Sequence, residues 1–499
     1  MHQISGQALS LEEAVATAAA RAASVWMATA QQRTAAAEVE RERGRFDPEL
    51  FVDLDRSAVD EPSASPFSGA DVVELDQTRG AAGVSVKLPS GTELEASLVA
   101  VRQETNSIFA ALDPQYTATG QLRFSQPLLE GFAKGSRRNL TSAEQRLEAA
   151  TARREQAERW ARARAEILYW DLYAATRDLA VQMLLRDRAD ALLKEVASRT
   201  AAGLVGPVEV ANARLFLATQ ELALIDRREE LDARSDGLAA FIDARPGVRR
   251  GAHRYQPVDH PPAAGGVDEI DAVGGEVNGI LAAARRHNPS LAAARAEIAA
   301  LKTLAAAAGH SRAPSLRLTG ALGGNGIAGA GQPVVFGADT TTVAHTGGLA
   351  DALSSSLSGD FPSWEVGLQL RLPLGNRTDR GEHRRLLSEL DRIAHAYDKA
   401  QRNLDAEVRA HCRTLANGAE RLAAAQAGVE AANEQVRIGL IEYDHGRSTA
   451  FELVRLGADL AAAQQTYSKA LVHTARARAN LRYLTAGHHP AAVDGGGGS

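Results

Sequence analysis

Charged side chains beside two predicted helix reversals form the clearest chemical pattern in this sequence. Glu209 follows a turn at residues 203–207, and Glu452 and Arg455 follow a second turn at residues 445–449. Residues three apart lie on one face of a helix, so Glu452 and Arg455 are spaced to form an exposed ion pair worth about 0.3 kcal/mol. The chemistry that this spacing predicts is charge pairing between side chains.

No pattern in the sequence predicts an enzyme, a cofactor site or a metal site. There is no phosphate-binding glycine motif, no nucleophile constellation, and no group of His or Cys residues at metal-ligand spacing. The single cysteine, Cys412, excludes a disulfide within the chain and is expected to be a small buried side chain. A net charge of −6 and a pI near 6.2 give no electrostatic case for binding nucleic acid.

The hydropathy pattern shows neither a transmembrane helix nor a signal peptide. No run of apolar residues is long enough for a transmembrane helix, whereas the strands of a membrane barrel leave a weaker signal. Residues 1–4 carry no basic and apolar signal-peptide pattern, so either a signal segment was removed or replaced, or the protein stays in the cytoplasm. Residues 494–499 resemble a flexible linker and have no place in the predicted fold.

The elements that position the charged side chains are two very long helical hairpins. Alanine, arginine, glutamate and leucine fill residues 132–202 without a proline, which predicts one helix of roughly 70 residues and about 105 Å. A second helix returns over residues 207–243, and the second half repeats this plan at residues 376–445 and 448–484. Helices of this length exceed an ordinary globular domain and need lateral partners.

An internal duplication relates the two halves. Residues 11–50 align without a gap onto residues 277–316 at an offset of 266, and the turns align at an offset of 243. The aligned segments contain a shorter helix, predicted at residues 14–43 and again at residues 281–309. Two copies are too few for a solenoid and indicate two similar halves related by pseudo-symmetry.

Between the shorter and the longer helix of each half, the hydrophobic period changes from 3.6 to 2. Residues 116–126 and 364–374 alternate apolar and polar side chains, and so do residues 46–55 and 314–322. Segments of about 9 to 11 residues with one apolar and one polar face are what a lipid-facing, water-lined barrel requires. The residues predicted to face lipid are Leu122, Phe124, Trp364, Val366, Leu368 and Leu370.

A further alternating pair, residues 84–88 and 94–100, forms a hairpin around a turn at residues 89–91. This hairpin leaves the number of membrane strands open at four or six per chain. Residues 57–78 and 325–360 are long, irregular stretches rich in small and polar residues, and both are expected to be external loops.

Several strings in this order resemble the TolC-like outer-membrane efflux and secretion channels, and the resemblance covers nearly the whole chain. LSLEEAV at residues 9–15 resembles the opening helix of that family, and FSQPLL at 124–129 resembles its strand-to-helix junction. YWDL at 169–172 is similar to its mid-helix aromatic signature. RTAAGLV at 199–205, with the EV and NA pairs at 209–213, is similar to its periplasmic tip turn.

The resemblance implies a gate just inside the helix tips. The residues that it places at this periplasmic gate are Glu209, Arg447, Glu452 and Arg455. Glu452 lies at the first acidic position of the family, and Arg455 replaces the second acid, so a trimer would carry adjacent rings of three acids and three bases. The second turn also departs from the family, because YDHG at 443–446 lacks the arginine.

The resemblance further implies the partners of the chain. A periplasmic adaptor, itself bound to an inner-membrane transporter, is expected to contact the tips at Gly203, Leu204, Val205, His445, Gly446 and Ser448. Four strands cannot close a barrel in lipid, so three chains of four strands are expected to form a twelve-stranded barrel above a hollow cylinder of twelve helices. The expected product is a homotrimer in contact with outer-membrane lipid, and its cargo and pump class stay open.

The predicted fold is an α+β membrane protein with duplicated strand and long-helix-hairpin halves. Its trimer would be an outer-membrane β-barrel continued by a periplasmic α-helical barrel. The predicted segments are amino-terminal helices at 1–45, a barrel segment with an external loop at 46–130, a helical hairpin at 131–243, an equatorial segment at 244–276, a helix at 277–312, a second barrel segment with an external loop at 313–375, a second hairpin at 376–486, and a flexible tail at 487–499.

Two functions of other classes compete with the channel. A cytoplasmic coiled-coil scaffold explains the long helices and the missing signal segment, but not the alternating strands. A periplasmic adaptor with a helical hairpin explains one hairpin, but not two hairpins together with strands of this pattern.

Overall fold

The structure is a computed structural model, and it describes residues 6–64, 70–129, 135–242, 254–261, 277–336, 339–341 and 344–487. The chain divides into two compact units. The first, called here the helical unit, comprises Met1–Thr34, Glu148–Ala296 and Ala394–Ser499, and the second, the sheet unit, comprises Ala35–Leu147 and Glu297–Ile393. Each unit therefore contains segments of both halves of the duplication.

Ten helices lie within the described ranges. They are α1 (Leu11–Arg21), α2 (Ala23–Gly44), α3 (Arg138–Ala201), α4 (Pro207–Ile242), α5 (Val277–His287), α6 (Pro289–His310), α7 (Leu349–Ser358), α8 (Arg377–Ala416), α9 (Gly418–Asp444) and α10 (Ala450–Leu484). None of these helices combines the length and the hydropathy that a membrane-spanning helix needs. Helix α3, with 64 residues, is the predicted long helix, although its predicted start at residue 132 lies outside the described residues.

Three helices that were predicted to be continuous are interrupted. The break at Asn288 follows from sequence, because Pro289 lacks an N–H and the Asn288 side chain accepts hydrogen bonds from the N–H groups of Ser290 and Leu291. Its duplicate at Ala22 has extended backbone without a local signal. The prediction of one helix over residues 376–445 was wrong, because the chain bends at Asn417 just before Gly418.

A buried aromatic cluster organises the helical unit. Tyr169 and Trp170 of α3 pack with residues of α1 and α4, and their rings meet edge to face at 5.2 Å. The Tyr169 hydroxyl accepts hydrogen bonds from the N–H groups of Val258 and Asp259 and lies 3.1 Å from the Leu9 carbonyl. Burial, helped by the Asp259 carboxylate, raises the pKa of Tyr169 to about 12. The predicted equatorial segment, described here only at 254–261, is anchored by this tyrosine.

Six long strands form one antiparallel sheet in the sheet unit. They are β2 (Glu49–Pro62), β3 (Val72–Lys87), β4 (Glu93–Thr105), β5 (Leu112–Pro127), β7 (Ser315–Gly331) and β10 (Phe361–Arg371), in the order β10-β7-β5-β4-β3-β2. The short strands β1 (Gln7–Leu9) and β6 (Tyr255–Pro257) pair with each other in the helical unit, and β8 (Val334–Phe336) pairs with β9 (Asp339–Thr341). The hairpin that left the strand count open is β3–β4, so the sheet has six strands per chain.

Both predicted external loops are largely regular structure. The stretch 57–78 was predicted to be a loop, but pairing of β2 with β3 continues as far as Pro62 and Val72. The stretch 325–360 contains the end of β7, the β8–β9 pair and helix α7. The small residues that indicated a loop are instead the residues that let α7 approach the sheet.

Helix α7 lies against β5 and β7, where glycines remove the side chains that would separate them. A Cβ atom at Gly326 would lie 1.9 Å from the Ala352 carbonyl oxygen, and one at Gly324 would lie 2.1 Å from the Ser356 carbonyl oxygen. The buried Ser356 hydroxyl accepts a hydrogen bond of 2.8 Å from the Gly120 N–H and donates one of 2.7 Å to the Gly324 carbonyl. Ser356 thus bridges a strand of the first half to a strand of the second.

Replacing Ser356 with alanine should weaken this bridge. Both hydrogen bonds are lost and the Gly120 N–H is left without its acceptor, at a cost of about 1 to 3 kcal/mol. Hydrogen exchange at the Gly120 amide should therefore accelerate in Ser356→Ala, while Ser354→Ala, an exposed position of the same helix, should leave it unchanged. Equal exchange in both variants would contradict the bridge.

Candidate functional site

The six-stranded sheet has one apolar and one polar face. Directly paired residues share a face, and Leu122 pairs with Leu322, which pairs with Trp364. The same registers place all six residues predicted to face lipid on one side, called here the apolar face. Large exposed side chains of this face are Leu50, Val52, Leu54, Val84, Leu122, Phe124, Leu322, Trp364, Val366, Leu368 and Leu370.

The opposite side, called here the polar face, carries charged and amide side chains from every strand. Among its members are Asp53, Arg79, Glu95, Arg123, Arg317 and Glu365. Trp364 exposes 77% and Leu54 78% of their surface at opposite edges of the apolar face. Between these edges, α7 covers the apolar face around Gly120 and Gly324. Exposed apolar surface at both edges of a sheet requires a lipid or protein partner, and the polar face can line water.

The helix tips have the same backbone geometry in both halves. Gly203 (φ 77°) and Gly446 (φ 68°) adopt the left-handed conformation that L side chains rarely adopt. After each glycine, the next N–H returns to a carbonyl five residues earlier: Leu204 bonds Arg199, and Arg447 bonds Glu442. Both turns are therefore Schellman caps, although their sequences differ.

The predicted gate residues lie on or beside these turns. Arg455 donates a hydrogen bond of 2.7 Å to Glu452 on the same exposed face of α10. The Glu452 N–H is itself capped by the Thr449 hydroxyl. Glu209 is half-buried in the first turn of α4, and Arg447 is exposed. Within one chain, the structure brings together only the two members of the gate that lie three residues apart.

The adaptor-contact residues are mostly accessible. Leu204 exposes 74% of its surface. Gly203, His445 and Gly446 are also exposed, and Val205 and Ser448 are half-buried. The surface offered by the two tips is thus a mixture of apolar and small polar groups.

One contact between the two tips is missing from the sequence interpretation. The Arg199 guanidinium lies over the ring of buried Tyr443, 4.4 Å from its centroid, and also pairs with Glu195 at 2.8 Å. Tyr443 belongs to the turn that departs from the family pattern. An arginine in the first tip and an aromatic residue in the second were the only available signals, and neither fixes a pairing.

An exposed apolar stripe on α4 was also missed. It follows the a and d positions of a heptad repeat, at Val208, Ala211, Leu215, Ala218, Leu222 and Ile225. Val208, Leu215 and Leu222 are more than half exposed, whereas a seam of this spacing normally packs against another helix. The heptad spacing, which is readable in the sequence, could have identified the stripe.

Within the part of the chain that the structure describes, no group of His, Cys, Asp or Glu side chains is arranged to hold a metal ion. Cys412 is buried, and burial raises the pKa of its thiol.

Comparison with known proteins agrees with this geometry. Residues 280–487 match a family model described as "Outer membrane efflux protein". The predicted resemblance to the TolC-like outer-membrane channels is confirmed. No curated protein matches the sequence.

Solved outer-membrane channels share the fold over almost the whole chain. The channel OprN superposes with a TM-score of 0.65 at 16% identity, covering 96% of this chain and 90% of its own. The channel CmeC of Campylobacter jejuni superposes with a TM-score of 0.65 at 14% identity, covering 96% of this chain and 85% of CmeC. VceC of Vibrio cholerae gives 0.62 at 14%, covering 95% of each chain. At these identities the likeness shows the fold alone.

The contact between Arg199 and Tyr443 should couple the two tips energetically. Cation–π pairs contribute about 0.5 to 1 kcal/mol at exposed sites. Arg199→Gln and Tyr443→Leu should therefore each increase nicking of the tip turns by subtilisin, and the double variant should add little to either single change. Fully additive increases would show that the two side chains act independently.

Proposed function

We propose that this protein is the outer-membrane exit duct of a tripartite efflux or type I secretion system. It would act as a passive homotrimeric channel, with its sheets in the outer membrane and its helical hairpins in the periplasm. The observation that carries this proposal is the two-faced sheet, in a chain whose second half matches the outer-membrane efflux family. Its apolar face is exposed at both edges and covered by α7 around Gly120 and Gly324, and its opposite face is polar.

The trimer follows from sheet edges and from helix surfaces. Each chain leaves the outer edges of β2 and β10 without a partner strand in the described structure, and open edges are not tolerated in hydrocarbon. The exposed stripe on α4 supplies a second surface that needs a neighbour. The stripe fits either a channel or a coiled-coil scaffold, whereas the open sheet edges favour the channel, because a scaffold has no use for an apolar sheet.

The gate would be formed by rings of charge at the tips. Within a single chain, Arg455 pairs with Glu452. In a closed trimer, Glu452 and Glu209 would instead pair with Arg447 or Arg455 of neighbouring helices. Adaptor binding would supply the differential free energy that opens the tips. Because the family's second acid is replaced by Arg455, this aperture would be less cation-selective than one with two acidic rings.

Orientation of the sheet is tested by placing a charge on each face. Leu368→Arg on the apolar face should cost about 2 to 4 kcal/mol near the bilayer midplane and reduce the yield of assembled trimer. Glu365→Arg, three residues away on the polar face of the same strand, should leave the yield unchanged. The measurement is trimer on unboiled gels after outer-membrane fractionation, and equal yields would contradict the orientation.

The gate is tested by single-channel recording. Arg455→Asp should raise cation selectivity and block by polyvalent cations, because the ring changes from basic to acidic, and Glu452→Ala should raise resting conductance. The matched control is the pair Glu434 and Arg437 on α9, which has the same three-residue spacing and a 2.6 Å contact. If Arg437→Asp and Glu434→Ala produce the same changes, or if none of the four variants does, the tips do not form the constriction.

The adaptor is tested by crosslinking from the tips. A photo-crosslinker on Leu204→Cys, in a Cys412→Ala background, should capture a periplasmic adaptor that mass spectrometry identifies. Gly428→Cys, at an open position in the middle of α9, should not. Capture from Gly428 alone would place the partner away from the tips.

A further inference from the structure

We infer that three copies of this chain close an 18-stranded barrel, rather than the twelve-stranded barrel expected from four strands per chain. The inference rests on the proposed function and identifies the partner of each open sheet edge as a second copy of the chain. The additional strands are β3 and β4, which lie between β2 and β5. In the second half, β7 and β10 pair directly, so only the first half carries the insertion.

The inserted hairpin is an integral part of the sheet. β3 pairs with β2 from Pro62 opposite Val72 to Glu49 opposite Ser85 without a register shift. On its other side, β4 pairs with β5 from Glu93 opposite Ser125 to Gln103 opposite Gln115. A hairpin that folded over the outside of a four-stranded sheet would leave β2 beside β5, whereas here β3 and β4 separate them completely.

The hairpin also continues the apolar face at the height of a membrane. On β4 the apolar face carries Leu94, Ala96, Leu98 and Ala100, and then Arg102. The six steps from Leu94 to Ala100 span about 20 Å along the strand. At a strand tilt of about 40° this is about 15 Å of height, which lies within the apolar band of about 25 Å that encircles outer-membrane barrels.

The upper limit of this band follows one row of the sheet. Arg102 pairs across the ladder with Thr78, which pairs with Arg56. Arg56 contacts Asp76 of the neighbouring strand at 2.7 Å, and Arg102 pairs with Glu104. On β2, β3 and β4, the apolar side chains of this face therefore end at the same row, and polar or charged side chains begin there. This is the pattern expected of three adjacent strands that emerge from the membrane at one height.

Strand direction allows copies to join without a parallel pair. All neighbours in the sheet are antiparallel, and six is an even number, so β10 and β2 at the two edges run in opposite directions. Around a threefold axis, β2 of one copy would meet β10 of the next in antiparallel pairing. Because barrel diameter grows about linearly with strand number, the pore would be about 1.5 times as wide as that of a twelve-stranded barrel.

Intermolecular disulfides test the edge pairing. In a Cys412→Ala background, Val52→Cys on β2 is combined in turn with cysteine at Trp364, Val366 or Leu368 on β10. At least one pair should give disulfide-linked dimers and trimers on denaturing gels. The control places the first cysteine at Ala82 on the interior strand β3, and that site should give none. Intermolecular disulfides from Ala82 but not from Val52 would overturn the inference.

Lipid contact tests the hairpin itself in trimers already shown to conduct. An environment-sensitive fluorophore on Val84→Cys, on the apolar face of β3, should be quenched by brominated lipids as strongly as one on Leu368→Cys. The matched label on Ser85→Cys, on the polar face, should show little quenching. If conducting trimers quench at Leu368 but not at Val84, the hairpin lies outside the membrane and the 18-stranded barrel is excluded, while the channel stands. If no label is quenched and no trimer forms, both proposals fail.

Discussion

The two-residue alternation of the β-strands is the constraint on which the rest of the structure depends. It places most large exposed apolar side chains of the six strands on one face and most charged groups on the other. A sheet with one exposed apolar face and two open edges cannot be an isolated body in water. The open sheet edges and the proposed trimer follow from this feature, to which the exposed stripe on α4 adds a second surface that needs a neighbour.

In the helical unit, small buried residues let the helices pack closely against each other. Alanine provides much of the buried surface in the helical unit, and the few large aromatic residues gather around Tyr169 and Trp170. The hydroxyl of Tyr169 fastens the segments near Leu9 and Asp259 to the middle of α3. A few hydrogen bonds at Tyr169 therefore hold these segments against the middle of α3. The exposed stripe on α4 takes no part in these contacts.

Much of this architecture could be predicted from sequence because its periods are strong. The spacing of residues alone predicted the long helix α3 and the apolar positions of β5 and β10. The turns at Gly203 and Gly446 were predictable from the duplication. The same duplication could have located the helix break at Ala22, because Asn288 and Pro289 mark its equivalent 266 residues later.

The features that could not be predicted from sequence depend on contacts between residues far apart in the chain. The glycines and serines around Gly326 and Ser356 have the composition of a loop, and only their packing shows that they seat α7 on the sheet. The strand count was undecidable because alternation of β3 and β4 does not say which strands they join. Near the tips, Arg199 and Tyr443 come from opposite halves and carry no common spacing.

The most direct test uses a native side chain as the reporter. Trp364 lies on the edge strand β10, and the other tryptophans, Trp26, Trp160 and Trp170, belong to the helical unit. Reconstitution into vesicles of brominated lipid should quench part of the tryptophan emission, and Trp364→Phe should remove that quenchable part. Emission that brominated lipid leaves unchanged, or equal quenching with and without Trp364, would contradict a lipid-facing sheet.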